Sequence, residues 1–157
     1  MLARRGIDSK LIYNGVEISE GQKQQKAGFA AVGTLDERKF MHLPAVWEKI
    51  SEQMDATLDV AGKIVSQKLA SELRDLPGVT VHGKVPEIEP FYRQNGALLF
   101  TSRAEACPLT FLEALAHGLP VVSWDVCSHS ELVDEDTGAT VPAYDVDAFA
   151  DAAVHEY

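Results

Sequence analysis

Short apolar runs alternate with amphipathic segments along the chain from about residue 28 to its end. Leu43, Trp47 and Ile50 recur at the spacing of one helix face, which predicts a helix over residues 41–54. Further helices are predicted over residues 65–73, 86–94, 108–117 and 146–155, the last capped by Asp145, with a helical turn near residues 130–133. The apolar runs predict strands over residues 29–32, 57–61, 79–82, 97–100, 120–124 and 139–141.

The predicted strands are continuous apolar runs rather than alternations of apolar and polar residues. Such runs are typical of a parallel sheet that helices cover on both faces. Strand–helix repetition with right-handed crossovers predicts a Rossmann-like α/β fold, a doubly wound parallel sheet. Ligands of these sheets bind beyond the carboxyl ends of the strands, which selects the loops at residues 33–39, 62–63, 83–87 and 101–108.

Composition and charge narrow the class of partner. The chain of 157 residues is long enough for one domain with a core, and its net charge of −10 argues against nucleic acid and anionic membranes. No apolar run is long enough to span a bilayer, and the start of the sequence does not resemble a signal peptide, so we expect a cytoplasmic protein. Two cysteines without Cys-x-x-Cys spacing predict neither a zinc site nor a disulfide framework.

The helix predicted over residues 108–117 has a start suited to an anion. Pro108 fits the first helical position, because its missing N–H would have no partner there. Gly118 fits the position just beyond the helix end. The amides of Leu109 and Thr110 would then be free donors reinforced by the helix dipole, which predicts a diphosphate site.

Two carboxylates and a lysine near this helix allow two interpretations from the residues alone. Glu105 precedes the helix and Glu113 lies inside it, so both could accept hydrogen bonds from sugar hydroxyls or simply face water. Lys39 could bind a phosphate or lie in solvent beside Asp36 and Glu37. Spacing does not decide between these alternatives.

The segment from Glu105 to Val122 resembles the signature of family 4 glycosyltransferases, which is Glu, seven residues, Glu, a helix end of small residues and then Gly-x-Pro-Val-Val. Other landmarks of that family follow one another in the right order over residues 11–155. They are Asn14-Gly15-Val16, the loop at residues 33–39, residues 81–83, Thr101-Ser102, the segment at residues 131–138 and Val141-Pro142. The resemblance implies the C-terminal half of a GT-B fold.

The resemblance also implies roles for individual residues. Glu105 would contact hydroxyls of the donor sugar, Glu113 would hold the ribose hydroxyls, and Lys39 would pair with the diphosphate as it departs. Other implied donor contacts are Gly33, Thr34, Gly83, Lys84, Cys107, Pro108, Leu109 and Thr110. A retaining transfer from a nucleoside-diphosphate sugar is implied, with Lys39 and Glu105 as the catalytic pair. No metal and no other cofactor are implied.

One position departs from the family. Thr34 stands where an arginine usually follows the glycine of the first strand, so one phosphate-binding cation is missing. Arg38 and Arg103 are two candidates to replace it, and the sequence leaves the choice open. Glu131 is interpreted as a structural residue that ties its own loop.

The resemblance further predicts how the domain is organised. Residues 1–27 would be the interdomain crossover and lead-in, residues 28–157 the nucleotide-sugar-binding core, and the acceptor would bind a separate N-terminal domain, which would also provide any contact with the inner membrane face. Alone, the chain is expected to bind donor weakly and turn over little. The alternatives are a non-catalytic nucleotide-sugar-binding module or regulatory subunit, which Thr34 favours, and a phospho-receiver, for which Asp36 and Asp125 are poorly placed.

Overall fold

A computed structural model describes residues 14–16 and 28–157. Six strands form one sheet: β1 Phe29–Val32, β2 Leu58–Ala61, β3 Val79–Gly83, β4 Ala97–Phe100, β5 Val121–Trp124 and β6 Gly138–Val141. Within residues 28–157, six α-helices connect and cover them: α1 Glu37–Phe40, α2 Leu43–Gln53, α3 Gln67–Arg74, α4 Glu89–Gln94, α5 Leu109–Ala116 and α6 Val146–Glu156. A single 3-10 turn at His129–Glu131 follows β5 in this described part.

The sheet has the strand order β3-β2-β1-β4-β5-β6, and all of its pairings are parallel. The order reverses between β1 and β4, because the chain leaves β3 at one edge and returns beside β1. At such a switch point the connections leave in opposite directions and open a crevice beyond the carboxyl ends of the strands. The predicted doubly wound, Rossmann-like α/β fold is confirmed.

Alternate residues of the central strands enter two separate apolar layers. Ala97 and Leu99 of β4 join the layer formed with α2, α3 and α6, in which Trp47 is fully buried. Leu98 and Phe100 join the opposite layer, formed with α4 and α5. Both faces of the central strands are therefore covered, which explains why β1 and β4 are apolar at every position.

Several helix boundaries differ from the predicted ones. The helix predicted from residue 65 begins at Gln67, because the Ser66 hydroxyl accepts from the Leu69 amide as an N-cap. The helix predicted over residues 86–94 begins at Glu89, and the proline in its first turn is Pro90. A short helix, α1, occupies part of the loop predicted at residues 33–39, where the Asp36 side chain accepts from the Lys39 amide.

Helix α5 confirms one predicted end and corrects the other. Pro108 is the N-cap rather than the first helical residue, because its backbone is extended and its carbonyl accepts from Phe111 and Leu112. At the other end the Gly118 amide donates to the Leu115 carbonyl, and the Leu119 amide donates to the Ala114 carbonyl. This is the double hydrogen bond of a glycine-terminated helix. Asp145 caps α6 as predicted.

Two further predictions concern the interdomain crossover at residues 1–27 and the absence of membrane-spanning segments. The predicted crossover at residues 1–27 lies outside the described residues except for residues 14–16. Within the part of the chain that the structure describes, no helix has the length and apolar character needed to cross a bilayer.

Candidate functional site

The backbones that follow β1, β2 and β3 approach one another at the carboxyl edge of the sheet. The Gly33 amide donates to the Ala61 carbonyl at 2.9 Å, and the Gly62 amide donates to the Gly83 carbonyl at 2.8 Å. A Cβ atom placed on Gly62, whose φ is +144°, would lie 1.7 Å from the Gly33 carbonyl oxygen. The loops predicted to contact a donor are therefore joined through main-chain atoms, and glycine at position 62 makes that contact sterically possible.

Lys39 lies at the start of the crevice between β1 and β4. Helix α1 carries it, and its side chain is 18% exposed. Its ammonium nitrogen is 3.0 Å from Oε1 of Glu105, although 66 positions separate the two residues in the sequence. The strand order explains the contact, because β1 and β4 are neighbours and their following loops leave from the same edge.

Glu105 binds two cations through one oxygen. Its Oε1 atom is 2.6 Å from Nη1 of Arg38 and 3.0 Å from Nζ of Lys39. Partial burial alone would raise the pKa of Glu105, but the hydrogen bonds and charges of Arg38 and Lys39 together outweigh burial and lower it. The carboxylate therefore stays ionised at neutral pH, and the cluster carries a net positive charge.

Helix α1 and the loop after β4 are fastened together by more than this ion pair. The Thr101 hydroxyl donates to the Lys39 carbonyl at 2.8 Å, and the Arg103 amide donates to the Arg38 carbonyl at 3.1 Å. Arg38 also donates from Nη1 to the Ala104 carbonyl at 2.6 Å. These contacts fix Lys39 and Glu105 on one rigid unit.

Ser102 lies inside this unit. Its side chain is 2% exposed, and its hydroxyl has no hydrogen-bond partner among the described residues. Together with Lys39, Phe40 and residues 99–102 it lines a small depression at the end of β4. A buried hydroxyl without a partner is uncommon, and the sequence landmark Thr101-Ser102 did not reveal it.

The N-terminus of α5 faces the same edge, three residues after Glu105. The amides of Leu109 and Thr110 have no backbone partner within residues 28–157, as expected for the first turn of a helix. The carbonyl of Cys107, whose side chain is half-buried, accepts from the Asn14 amide group at 3.1 Å. The predicted landmark at residues 14–16 therefore contacts the loop that leads into α5.

Glu113 lies one turn after Thr110 on α5 and is half-buried. Its Oε2 atom accepts a hydrogen bond of 3.0 Å from the phenol of Tyr92, a residue of α4 that is fully buried. Burial, together with the charge of Glu113 and the hydrogen bond to it, raises the pKa of Tyr92 far above its usual range. The phenol therefore remains a proton donor to this carboxylate.

The remaining predicted residues occupy the rim of the site. Thr34 is half-buried, and its carbonyl accepts from the Asp36 amide at 2.9 Å. Lys84 is exposed directly after Gly83. Arg103 turns away from the ion-pair cluster, since its guanidinium contacts the sulfur of Met41 at 3.4 Å and lies 5.8 Å from the ring centroid of Tyr144. Of the two arginines left open by the sequence, Arg38 is the one beside Lys39.

A metal site is not evident in this part of the chain. Among the described residues, no three His, Cys, Asp or Glu side chains are grouped as metal ligands. That transfer proceeds without a metal remains a prediction.

The fold defines the structural class: a Rossmann-like α/β sheet that matches solved structures of GT-B glycosyltransferases. Solved structures share it across almost the whole chain. A lipopolysaccharide outer core galactosyltransferase, WaaB, matches 99% of this chain and 49% of its own, with a TM-score of 0.77 at 22% identity. TarM from S. aureus matches 97% of this chain and 34% of its own, with a TM-score of 0.81 at 18% identity.

Sequence comparison then assigns the family. The chain belongs to the family described as glycosyl transferases group 1, whose pattern matches residues 26–156. A curated relative, the lipopolysaccharide core biosynthesis mannosyltransferase LpsB of Rhizobium meliloti (strain 1021), is 37% identical over an alignment of 106 positions that covers 60% of this chain and 30% of LpsB. The chain thus spans from about a third to half the length of these relatives.

Proposed function

We propose that this chain is the donor-binding part of a retaining, metal-independent glycosyltransferase that moves a sugar from a nucleoside-diphosphate sugar to an acceptor. The observation that carries the proposal is the cluster of Lys39, Arg38 and Glu105 beside the N-terminus of α5. Two cations, unpartnered amides and a carboxylate are the groups that a sugar diphosphate requires. Membership of the glycosyl transferases group 1 family supports this assignment.

The diphosphate is assigned to the cations and the helix start. Lys39 supplies a nearly buried positive charge, and the amides of Leu109 and Thr110 add donors at the positive end of the α5 dipole. When the bond between the sugar C1 and the diphosphate oxygen breaks, the electron pair remains on the leaving diphosphate. Groups that are already aimed at this charge lower the barrier, because they bind the departing diphosphate more strongly than the intact donor.

The two glutamates are assigned to hydroxyl groups. Glu105 is now bound to Lys39 and Arg38, and a diphosphate that takes these cations frees its oxygen to accept from hydroxyls of the donor sugar. Glu113, further along α5, accepts from the ribose hydroxyls. The backbone at Gly33 and Gly83, with Lys84, flanks the base. Thr34 provides a hydroxyl at the rim.

Arg38 takes the place of the arginine that is missing at position 34. It binds the same carboxylate oxygen as Lys39, so the two positive charges are neighbours, while Arg103 is engaged elsewhere. The guanidinium can bind two phosphate oxygens at once, which suits a diphosphate.

Replacing Arg38 with glutamine is expected to weaken the binding of a nucleoside diphosphate about three- to tenfold, because one charged hydrogen bond of a partly exposed side chain is lost. The effect should be much smaller for the matching nucleoside monophosphate. Arg103→Gln is the control, and calorimetry with both nucleotides measures the difference. Equal effects of the two variants would contradict the role given to Arg38.

The function itself is tested by calorimetry with UDP-, GDP- and ADP-sugars. The chain should bind donors of one base, and Glu113→Gln should weaken that binding about tenfold, because the ribose hydroxyls lose a charged acceptor. Glu72→Gln, which changes an exposed glutamate on α3, is the matched control. Absence of binding to every donor would refute the proposal.

A non-catalytic nucleotide-sugar-binding module is the second candidate, and Thr34 is the observation that favours it. The two candidates differ in the whole protein. A transferase requires an acceptor-binding N-terminal domain, and Lys39 would then affect turnover as well as binding. A module requires neither. Cytoplasmic location, at the inner membrane face through that domain, is part of the transferase proposal.

A further inference from the structure

The contact between Tyr92 and Glu113 joins two helices on one face of the sheet. Tyr92 belongs to α4 and is fully buried in the layer that contains Phe91, Leu98 and Phe111. Its phenol oxygen reaches Oε2 of Glu113 at 3.0 Å, while its other neighbour, the Thr110 carbonyl, is farther away at 3.4 Å. The shorter of these two contacts is with Glu113, the side chain to which we assign binding of the ribose hydroxyls.

We propose that Tyr92 is a positioning residue, which holds Oε2 of Glu113 so that Oε1 is presented to the ribose hydroxyls of the donor. The inference rests on the proposed function, because it gives Tyr92 its effect through the residue that binds ribose. Tyr92 itself lies inside the apolar layer and does not contact the ligand.

The physical argument concerns the freedom of a glutamate side chain. Glu113 is half-buried on a helix, and an unrestrained carboxylate there would sample several rotamers, most of which direct its oxygens away from a ligand. A hydrogen bond from a rigid, buried phenol selects one of them before the ligand arrives. The ordering cost is then met during folding rather than during binding, which increases affinity.

Tyr92 suits this role chemically. A phenol has one proton to donate, and burial keeps that proton on the oxygen by raising its pKa. The carboxylate is acceptor-only, so the direction of the hydrogen bond is fixed. One oxygen of Glu113 is therefore engaged by the protein, and the other keeps its acceptor sites for hydroxyl groups.

The other partners of this region restrain the backbone of α5 rather than the Glu113 carboxylate. A ring nitrogen of His117 lies 2.7 Å from the Glu113 carbonyl oxygen, and the opposite nitrogen is 3.8 Å from Glu89. Glu89 is also paired with Arg93 at 2.6 Å. Tyr92, in contrast, donates to the Glu113 carboxylate itself and so bears directly on its orientation.

The test compares Tyr92→Phe with the wild-type chain, using the nucleoside diphosphate, among UDP, GDP and ADP, that the wild type binds. We expect its dissociation constant to rise about three- to tenfold, since one neutral-to-charged hydrogen bond is removed. With the 2′,3′-dideoxy form of the same nucleotide, the two proteins should differ by less than about twofold. A merely structural phenol would lower both affinities together.

Two further variants complete the experiment. Tyr157→Phe removes a hydroxyl that accepts from the Gly28 amide, away from Glu113, and should leave the ratio between the ribo and dideoxy nucleotides unchanged. Tyr92→Phe combined with Glu113→Gln should bind no more weakly than Glu113→Gln alone, because the phenol acts through that carboxylate.

The outcomes separate the two proposals. Equal losses with both nucleotides, or full additivity in the double variant, would overturn the positioning role and leave the proposed function in place. A wild-type chain that binds none of the three nucleoside diphosphates would overturn the proposed function, and the positioning role with it.

Discussion

Replacing Gly62 with alanine is expected to destabilise the protein by about 3–5 kcal/mol, which is a large part of the 5–15 kcal/mol typical of a domain. The added Cβ would lie 1.7 Å from the Gly33 carbonyl oxygen, an impossible distance between non-bonded atoms. Positive φ contributes about 1–2 kcal/mol of this cost and overpacking about 1–3 kcal/mol or more. Urea unfolding measures the change.

The neighbouring backbone must move to relieve the clash, and that backbone leads into α1. Gly62→Ala should therefore also weaken nucleotide binding, because Gly33 and Lys39 belong to the displaced segment. Gly118→Ala is the matched control. That glycine also has positive φ, +66°, but no atom lies within 4 Å of the added Cβ, so only about 1–2 kcal/mol should be lost. Similar losses for the two variants would contradict the close approach.

Replacing Lys39 with methionine is expected to weaken the binding of a nucleoside diphosphate by about ten- to a hundredfold, the equivalent of about 1.5–3 kcal/mol. Methionine keeps most of the aliphatic side chain, so packing against Phe40 changes little and the lost charge dominates. The effect should exceed that of Arg38→Gln, because Lys39 is 18% exposed and Arg38 47% exposed, and solvent screens the more exposed charge.

Lys68→Met provides the comparison, since Lys68 is an exposed lysine on α3. Binding by that variant should be unchanged. In the whole enzyme, Lys39→Met should lower turnover further than binding, because negative charge grows on the diphosphate as the bond breaks. Unchanged affinity for the diphosphate in the Lys39 variant would show that the phosphates bind elsewhere.

Much of the fold could be predicted from the sequence, because buried parallel strands are short apolar runs. Turns that contain glycine or proline separate these runs. All six predicted strands are present, each within a residue of its predicted bounds. Helix starts were less predictable, since they depend on single caps. Ser66 ends an extended segment bonded to the Leu35 carbonyl, and only the structure reveals that bond.

The site was predictable as a set of loops and not as a set of contacts. The carboxyl-end rule selected the loops that carry Lys39 and Glu105, but their meeting depends on β1 lying beside β4. The sequence does not specify strand order. For the same reason, the sequence left Arg38 and Arg103 as equal candidates for the missing phosphate-binding cation. In the structure, Arg38 pairs with Glu105, whereas Arg103 contacts Met41.

Tyr92 shows a different limit. Its position fits the apolar face of a short helix, and a buried tyrosine of that kind is ordinarily a core residue. Nothing local distinguishes a phenol that faces only apolar neighbours from one that reaches a carboxylate 21 positions later. The roles of Glu105 and Glu113 came from the family resemblance, and they remain predictions for the experiments above.

The single oxygen of Glu105 that binds both Arg38 and Lys39 has a consequence for selectivity among anions. The cations already have an internal counterion, so chloride must compete with it and offers the Glu105 carboxylate no hydrogen-bond donor in return. A sugar diphosphate satisfies the cations with its phosphates and the displaced carboxylate with its hydroxyls. Under the proposed function, we therefore expect the cluster to discriminate against chloride by exchange of partners, so that added salt inhibits binding of the sugar diphosphate only weakly.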